Sequence, residues 1–396
     1  MGVSRVWKNK MSHEIKVIHS VLVWLPQTQT WIYNQVKNLP DKIEAHVVCE
    51  ETEHLVQFVV PNIHCLHDAS KLRYIYEKGL RKLQLKRYPC FLTALSNELD
   101  THILHSHFGD VGWGDLRVIT SMNLKHVVSF YGFDVNMLPM QKPVWIERYH
   151  QLFKKADIFL CEGPHMIKQL VSMGCPREKV KLQHLGIDVE KIAYCPRIWK
   201  KGEPLCVLIA ASFTEKKGIP YALEALIKLQ SVVPIELTII GDARPKSHSL
   251  KEKQKILSIL EVGGLKLKTK LLGYQPYTVL FEEAYKNHIF ISPSVTATNG
   301  DTEGGAPISL IEMMATGMIV VSTTHCDIPE EVNYGVKDWL VAERDVDGLV
   351  GKLAWLLEHP GEWVKMLDIG RKHIETEYDA KKQGKRLANI YHEIIE

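Results

Sequence analysis

The chain has 396 residues, 45% of them hydrophobic and 24% charged, with a formal net charge of +3. That length is too great for one hydrophobic core and suits two domains with a cleft between them. So small a charge gives no sign of a nucleic-acid partner, and cysteines scattered without any C-x-x-C pair indicate neither a zinc site nor a disulfide framework and fit a reducing cytosol.

The amino end, MGVSRVWKNKMSHEIKVIHSVLVWLPQ, places basic residues before an apolar stretch, as a signal peptide does. His19 and Ser20 interrupt that stretch and no small-residue cleavage site follows, so 15–20 reads as a first strand. Met11 is a second candidate start, which would leave residues 1–10 as a disordered extension. No window reaches the ~18 apolar residues of a membrane-spanning helix.

Short apolar runs then alternate with stretches of helical spacing. IKVIHS precedes a helix over 28–39; AHVVCE follows; HILHSHF precedes a helix over 112–122; HVVSFYG and DIFLCEG follow, the latter before a helix over 165–173. Such alternation predicts a mostly parallel sheet covered on both faces. After KVKLQHLGID the proline-punctuated stretch KIAYCPRIWKKGEP reads as a linker.

The alternation then starts again. PLCVLIAAS, a helix over 218–230, IELTIIGD, a helix over 249–262, KTKLLGY, a helix over 276–286, HIFISPS, a helix over 307–316, MIVVSTT and DWLVAE make a second α/β unit, and 360–396 is helical in spacing throughout. In open α/β sheets, ligands bind beyond the carboxyl ends of the strands. Two facing sheets would put those loops on one crevice.

The segment DTEGGAPISLIEMMATG, 301–317, is such a loop running into a helix. Pro307 suits the first helical turn and Gly317 the helix end. Gly304 and Gly305 let backbone amides approach a ligand, and the helix N-terminus behind them favours an anion, so a phosphate suits the turn. Glu312 falls off the apolar stripe of 308, 311, 314 and 315. It is either a solvated helical glutamate or an acceptor for ribose or sugar hydroxyls, and Glu303 has the same capacity from the loop.

EGGAPISLIEMMATGMIVVST followed by IPEEV resembles the donor-binding segment of the retaining glycosyltransferases of family four. That resemblance implies a GT-B fold: α/β, two facing Rossmann-like domains with parallel sheets and a C-terminal helix crossing back to the first. It divides the chain into an acceptor-binding domain at 1–195, a nucleotide-sugar-binding domain at 196–375 and a returning helical segment at 376–396. In the family the first glutamate touches the transferred sugar and the second, eight positions on, the nucleotide ribose. Here Glu303 stands nine positions before Glu312, because a residue is added around Gly304, Gly305 and Ala306.

ASFTEKKG resembles the loop whose arginine and lysine pair with the donor diphosphate. Lys217 holds the lysine position; Ser212 stands where the arginine would be, with Lys216 a candidate compensating cation. HFGDVG and SFYGFDV resemble two loops of the first domain: His107 matches a family histidine, Tyr131 replaces another, and Asp134 follows at the family's spacing. LPQTQTWIYNQV resembles the segment beside the acceptor.

Each residue has a plainer reading. His107 suits a core histidine, Asp134 a turn or helix cap, and Lys217 a solvated lysine. His325 has no assignable partner. Asp345 and Asp347 form a D-x-D pair that could hold a divalent cation but precede a helix, where aspartates cap; no metal is expected.

The resemblance implies a metal-independent retaining transferase, with a nucleoside diphosphate sugar as donor substrate, no further cofactor, and a saccharide or lipid-linked saccharide as acceptor in cell-surface polysaccharide synthesis. A cytoplasmic site of action is expected, with contact to the anionic inner membrane face through the stretch carrying Arg81, Lys82, Lys86 and Arg87. The stretch 79–95 reads equally as a solvated helix whose apolar side packs inward. Two other classes remain: a nucleotide-sugar-binding protein with little transfer, since Ser212 and Tyr131 depart from the pattern, and a GT-B epimerase or phosphorylase. A nicotinamide enzyme is disfavoured because no G-x-G-x-x-G follows either first strand.

Overall fold

A computed structural model describes residues 14–396 apart from 27, 28, 70, 84–88, 306 and 337. Parallel strands buried on both faces must be continuously apolar, and the short runs in the sequence form such strands. In the first sheet these are β1 (Ile15–Ser20), β3 (Ile43–Cys49), β5 (Ile63–Cys65), β6 (Ile103–His107), β7 (Lys125–Ser129), β8 (Ile158–Cys161) and β9 (Val180–Leu182), with β2 (Val23–Trp24) and β4 (Glu51–Thr52) pairing separately. The order is β5-β3-β1-β6-β7-β8-β9, every pair parallel, with Ile15 opposite Ile43 and Val17 opposite Ile103.

The second sheet holds β10 (Leu205–Ala210), β11 (Ile235–Ile240), β12 (Thr269–Gly273), β13 (Ile289–Ser292) and β14 (Ile319–Ser322) in the order β12-β11-β10-β13-β14. Its strand order reverses between β10 and β13, where Val207 faces Ile289. Crevices for ligands open beyond the carboxyl ends of strands at such a switch point. The loops that follow β10 and β13 carry Lys217 and Glu303.

Helix ends depart from expectation by a few residues, the ordinary uncertainty of frayed termini. Pro307 is the residue before the helix Ile308–Ala315 rather than within its first turn, and Gly317 beyond that helix has φ +82°, the left-handed conformation that ends helices. Two corrections and one refinement are larger. DWLVAE makes no strand: only Val341 bridges to Thr323, because the buried Trp339 reaches the sheet by its side chain, its indole N–H donating to Val320 O at 3.0 Å. The final stretch is helical as its spacing indicates, in two long helices, Trp363–Glu377 and Ala380–Ile395, that break where Ile187 lies alongside Asp379. Helices Lys71–Lys82 and Pro89–Leu99 stand where sequence spacing indicated at most one.

The break lets the chain change domain. Trp363, Met366, Leu367 and Ile374 pack into the core of the second domain, whereas Leu387, Ala388, Ile390 and Tyr391 pack with Ile15, Val17, Ile43 and Ile103 under the first sheet. Tyr391 Oη and His105 Nδ1 meet at 2.6 Å. Among the described residues no helix is long and apolar enough to cross a membrane.

Candidate active site between the two domains

Loop 293–307 is held from both sides of the switch point. Lys217 lies in the turn Glu215–Lys217, and the next residue, Gly218, has φ +62° and presses on Pro293 O, where a Cβ would collide. That close approach brings Lys217 Nζ to the Glu303 carboxylate, 2.8 Å from Oε1 and 2.9 Å from Oε2. Ser294 Oγ donates to Glu303 Oε1 at 2.9 Å. Lys216 reaches the same loop, 3.2 Å from Asp301 Oδ1 and 2.8 Å from Thr302 O, while Ser212 is half-buried at the end of β10.

Burial pushes the Glu303 carboxyl upward, but Lys217, Lys216 and the Ser294 hydroxyl outweigh it and leave its pKa below the ordinary carboxylate value. The Glu303 backbone N–H donates to His325 Nε2 at 3.1 Å, and His325 Nδ1 lies 2.6 Å from Glu343 Oε1. A carboxylate accepts only, so the proton sits on Nδ1 and Nε2 is the acceptor. Glu343 also accepts from Thr296 N at 2.8 Å. The histidine without an assignable partner is therefore one that fixes the Glu303 backbone.

The two loop glycines face the first domain. Gly304, at φ +87°, is so close to Gly132 that a Cβ there would overlap Gly132 Cα, and a Cβ on Gly305 would overlap the Glu162 carboxylate. Gly304 N–H is turned to Thr302 Oγ1 at 3.1 Å. Asn136 Nδ2 bonds Thr302 Oγ1 at 2.8 Å, and Asp327 Oδ1 accepts from His165 N at 2.6 Å, so the domains are drawn together across the cleft. Ala306 lies outside the described residues.

Glu312 is buried, contrary to the solvated reading of a helical glutamate. Its described partner is Tyr277, whose hydroxyl donates to Oε1 at 2.6 Å. Burial lifts this carboxyl to about 7, against the pull of the tyrosine. Tyr277 opens the helix Tyr277–Ala284, a placement that spacing does not signal.

In the first domain His107, Tyr131 and Asp134 come together beneath the cleft. His107 Nδ1 lies 2.7 Å from Tyr131 Oη and Nε2 lies 3.0 Å from His19 Nδ1. Burial holds the His107 imidazole well below its ordinary pKa and pushes the Tyr131 phenol well up. His19, His105 and His107 cluster closely enough to invite a metal. Both His105 nitrogens are also taken, by Tyr391 and Ser129, so of the trio's ring nitrogens only His19 Nε2 lacks a partner. His19, His107 and Tyr131 form a hydrogen-bonded chain, and His105 stacks on His107 while bonding elsewhere.

Asp134 accepts from Gly109 N at 2.7 Å and from Tyr131 N at 2.9 Å. It thereby caps the helix Gly109–Met122 and holds the Tyr131 loop, the plainer of its two readings. Burial lifts its carboxyl to about 7 despite both amide bonds. Asp345 likewise accepts from Gly348 N at 2.8 Å at the start of its helix, and Asp347 pairs with Lys228 at 2.7 Å.

Residues 196–373 match the family Glycosyl transferases group 1, and residues 28–191 match Glycosyltransferase Family 4. The amylovoran biosynthesis glycosyltransferase AmsK of Erwinia amylovora is 32% identical over 309 residues, 76% of this chain and 72% of that protein. The chain belongs to the family-four glycosyltransferases. WcaL of Escherichia coli K12, described as a colanic acid biosynthesis glycosyltransferase, is 30% identical over 82% of this chain and 81% of its own. Among solved structures, HepE of Anabaena in complex with UDP and glucose superposes with a TM-score of 0.75 at 14% identity, covering 96% of this chain and 100% of that one. The arrangement of this family-four glycosyltransferase is thus the GT-B fold.

Proposed function

We propose that this glycosyltransferase moves a sugar from a nucleoside diphosphate sugar to a saccharide or lipid-linked saccharide acceptor during assembly of a cell-surface polysaccharide, with retention of anomeric configuration. The observation that carries the donor half is the contact of Lys217 with Glu303 at the adjoining strand ends of the second domain. The solved complexes of HepE with UDP and with UDP-glucose support a nucleotide sugar as donor. The names of AmsK and WcaL support a polysaccharide product.

In this reading Glu312 receives ribose hydroxyls, the N-terminus of helix Ile308–Ala315 and Lys217 receive the diphosphate, and Glu303 receives the sugar. Negative charge grows on the diphosphate as the glycosidic bond breaks. A fixed cation aimed at that charge lowers the barrier because it needs no reorganisation when the charge appears. The acceptor hydroxyl attacks from the face the diphosphate leaves and gives its proton to the departing diphosphate oxygen, so no carboxylate nucleophile is required. A metal-independent reaction is favoured by the D-x-D pair, whose carboxylates serve a helix cap and an ion pair.

The experiment is release of nucleoside diphosphate across UDP-, GDP-, ADP- and dTDP-sugars on adding candidate acceptors, with proton NMR of the first-formed product; an inverted anomer refutes retention. A binding protein without transfer is the second reading. It is favoured by Tyr131, whose hydroxyl is bonded to His107 inside the first domain. Donor binding with no acceptor-dependent release on any acceptor identifies that case.

A further inference from the structure

Helix Lys71–Lys82 follows β5, the edge strand of the first sheet, and presents Leu72, Ile75 and Tyr76 outward. Leu72, Ile75 and Tyr76 are 82%, 67% and 57% exposed, and Leu83 just beyond the helix is 69% exposed. Positions 72, 75, 76, 79 and 83 share one helical stripe, and Gly79 on that stripe faces open space. The reading of 79–95 as a helix whose apolar side packs inward fits Leu92 and Leu95 of helix Pro89–Leu99, which are buried in the core, but not this stripe.

The face that packs carries polar side chains and the Tyr74 ring, which lies against the core. Glu77 is buried and accepts from Phe91 N at 3.2 Å, Arg73 donates to Cys90 O at 2.9 Å, and Tyr74 Oη donates to Glu51 Oε1 at 3.1 Å. A helix that shielded a core would do the opposite. In sequence the helix carries Lys71, Arg73, Lys78, Arg81 and Lys82 against the single acid Glu77, and Lys71 is exposed. The loop after β4, the strand that Tyr74 and Lys78 grip, adds Leu55, Val56 and Val59 at 44%, 97% and 64% exposure. Outward apolar side chains beside the exposed Lys71, on a helix whose sequence carries five cations to one acid, suit burial at an anionic lipid headgroup boundary.

We propose that this face of the acceptor domain, Leu72, Ile75, Tyr76 and Leu83 with the loop at Leu55–Val59, docks on an anionic lipid bilayer with helix Lys71–Lys82 lying in its surface. The docking deepens the lipid-linked acceptor reading and rests on it for its purpose, but its test does not involve transfer. Lys86 and Arg87 lie outside the described residues, as do the side chains of Arg81 and Lys82, and the docking face is drawn without them.

The full chain is sedimented with phosphatidylglycerol–phosphatidylcholine vesicles and with phosphatidylcholine vesicles alone. Wild type is expected to bind the anionic vesicles, to lose binding as salt rises, and to bind about tenfold or more weakly when Leu72→Asp and Ile75→Asp are combined. Both side chains are exposed, so an unchanged melting curve verifies that the double variant is folded. Wild type that stays in the supernatant, equal binding to neutral vesicles, or undiminished binding of the folded double variant overturns the proposal. A dimer in solution that the double variant dissolves also overturns it, assigning the face to a second copy. Vesicle binding together with absent sugar transfer would sink the proposed activity and leave docking intact.

Discussion

Lys217 Nζ donates to both carboxylate oxygens of Glu303, at 2.8 and 2.9 Å, so the cation assigned to the leaving diphosphate is already paired with the carboxylate assigned to the sugar. Their side chains are 18% and 7% exposed. Burial disfavours the Glu303 anion and Lys217 is the largest group opposing that effect. Lys217→Ala should reduce transfer by about 10²- to 10³-fold and lower stability by roughly 3 kcal/mol, since removing one partner of a buried pair strands the other. Donor turnover and thermal unfolding are the two readouts. Because the folded-state pKa of Glu303 is depressed, the pair stabilises the fold above the ordinary glutamate value and loses that contribution as pH falls through the folded one. In Lys217→Ala this loss on acidification should disappear. Turnover equal to wild type would remove Lys217 from the leaving-group site.

The Glu312 carboxyl has a different pH signature. Burial lifts it to about 7, so below that pH it is protonated, one oxygen turns from acceptor to donor, and its uncharged carbonyl accepts ribose hydroxyls more weakly. Affinity for a nucleoside diphosphate should therefore fall as pH drops from 8 to 6. Stability should run the other way: the folded state holds this proton more tightly than the unfolded chain, so the fold loses stability as pH rises from the ordinary glutamate value toward about 7. Glu312→Gln should flatten both profiles, by calorimetric titration of nucleotide and by melting at each pH. An affinity that depends on pH as steeply in the glutamine variant as in wild type would show that another group titrates.

Gly304→Ala tests the contact between domains. At φ +87° an alanine is strained, and its Cβ would meet Gly132 Cα in the opposing domain. The expected result is a more open molecule, with a larger radius of gyration by small-angle scattering, and transfer reduced at least about tenfold because reacting groups held even slightly apart lose their proximity advantage. Nucleotide binding to the isolated second-domain surface should survive, since Lys217 and Glu312 are untouched. Unchanged scattering with unchanged transfer would mean that this approach is not needed for the reaction.

Much of the layout was legible because LCVLIA, IFIS and IVVS are uninterrupted apolar runs, as doubly covered parallel strands require, and because Lys217 and Glu303 follow adjacent strands. Other features depend on contacts between positions far apart in the chain. His325 acquires its meaning from Glu343, 18 residues on, and Glu312 from Tyr277, 35 residues earlier. Gly304 and Gly305 suggested amides open to a phosphate, yet their bare Cα atoms admit Gly132 and Glu162 from the other domain. Local spacing carries no signal of which domain presses on a turn. Helix Lys71–Lys82 was obscured for another reason: periodicity reveals an apolar stripe without saying whether it faces core or surroundings.

Asp134 tests whether a buried carboxylate near the cleft is chemical or architectural. Both of its oxygens accept backbone amides, Gly109 N at 2.7 Å and Tyr131 N at 2.9 Å, and Tyr149 Oη donates to its carbonyl at 2.7 Å. An architectural role predicts that Asp134→Ala strands two buried N–H groups, lowering stability by about 2–4 kcal/mol at roughly 1–2 kcal/mol per group. Asp134→Asn keeps one acceptor and should recover about half of that loss. Transfer should then track the folded fraction: measured well below each variant's melting temperature, kcat for the asparagine form should stay within about tenfold of wild type. A folded Asp134→Asn that lost transfer as completely as a variant lacking its essential general acid or base, about 10²- to 10⁴-fold, would instead place the proton of this carboxyl, whose pKa burial lifts to about 7, in the reaction.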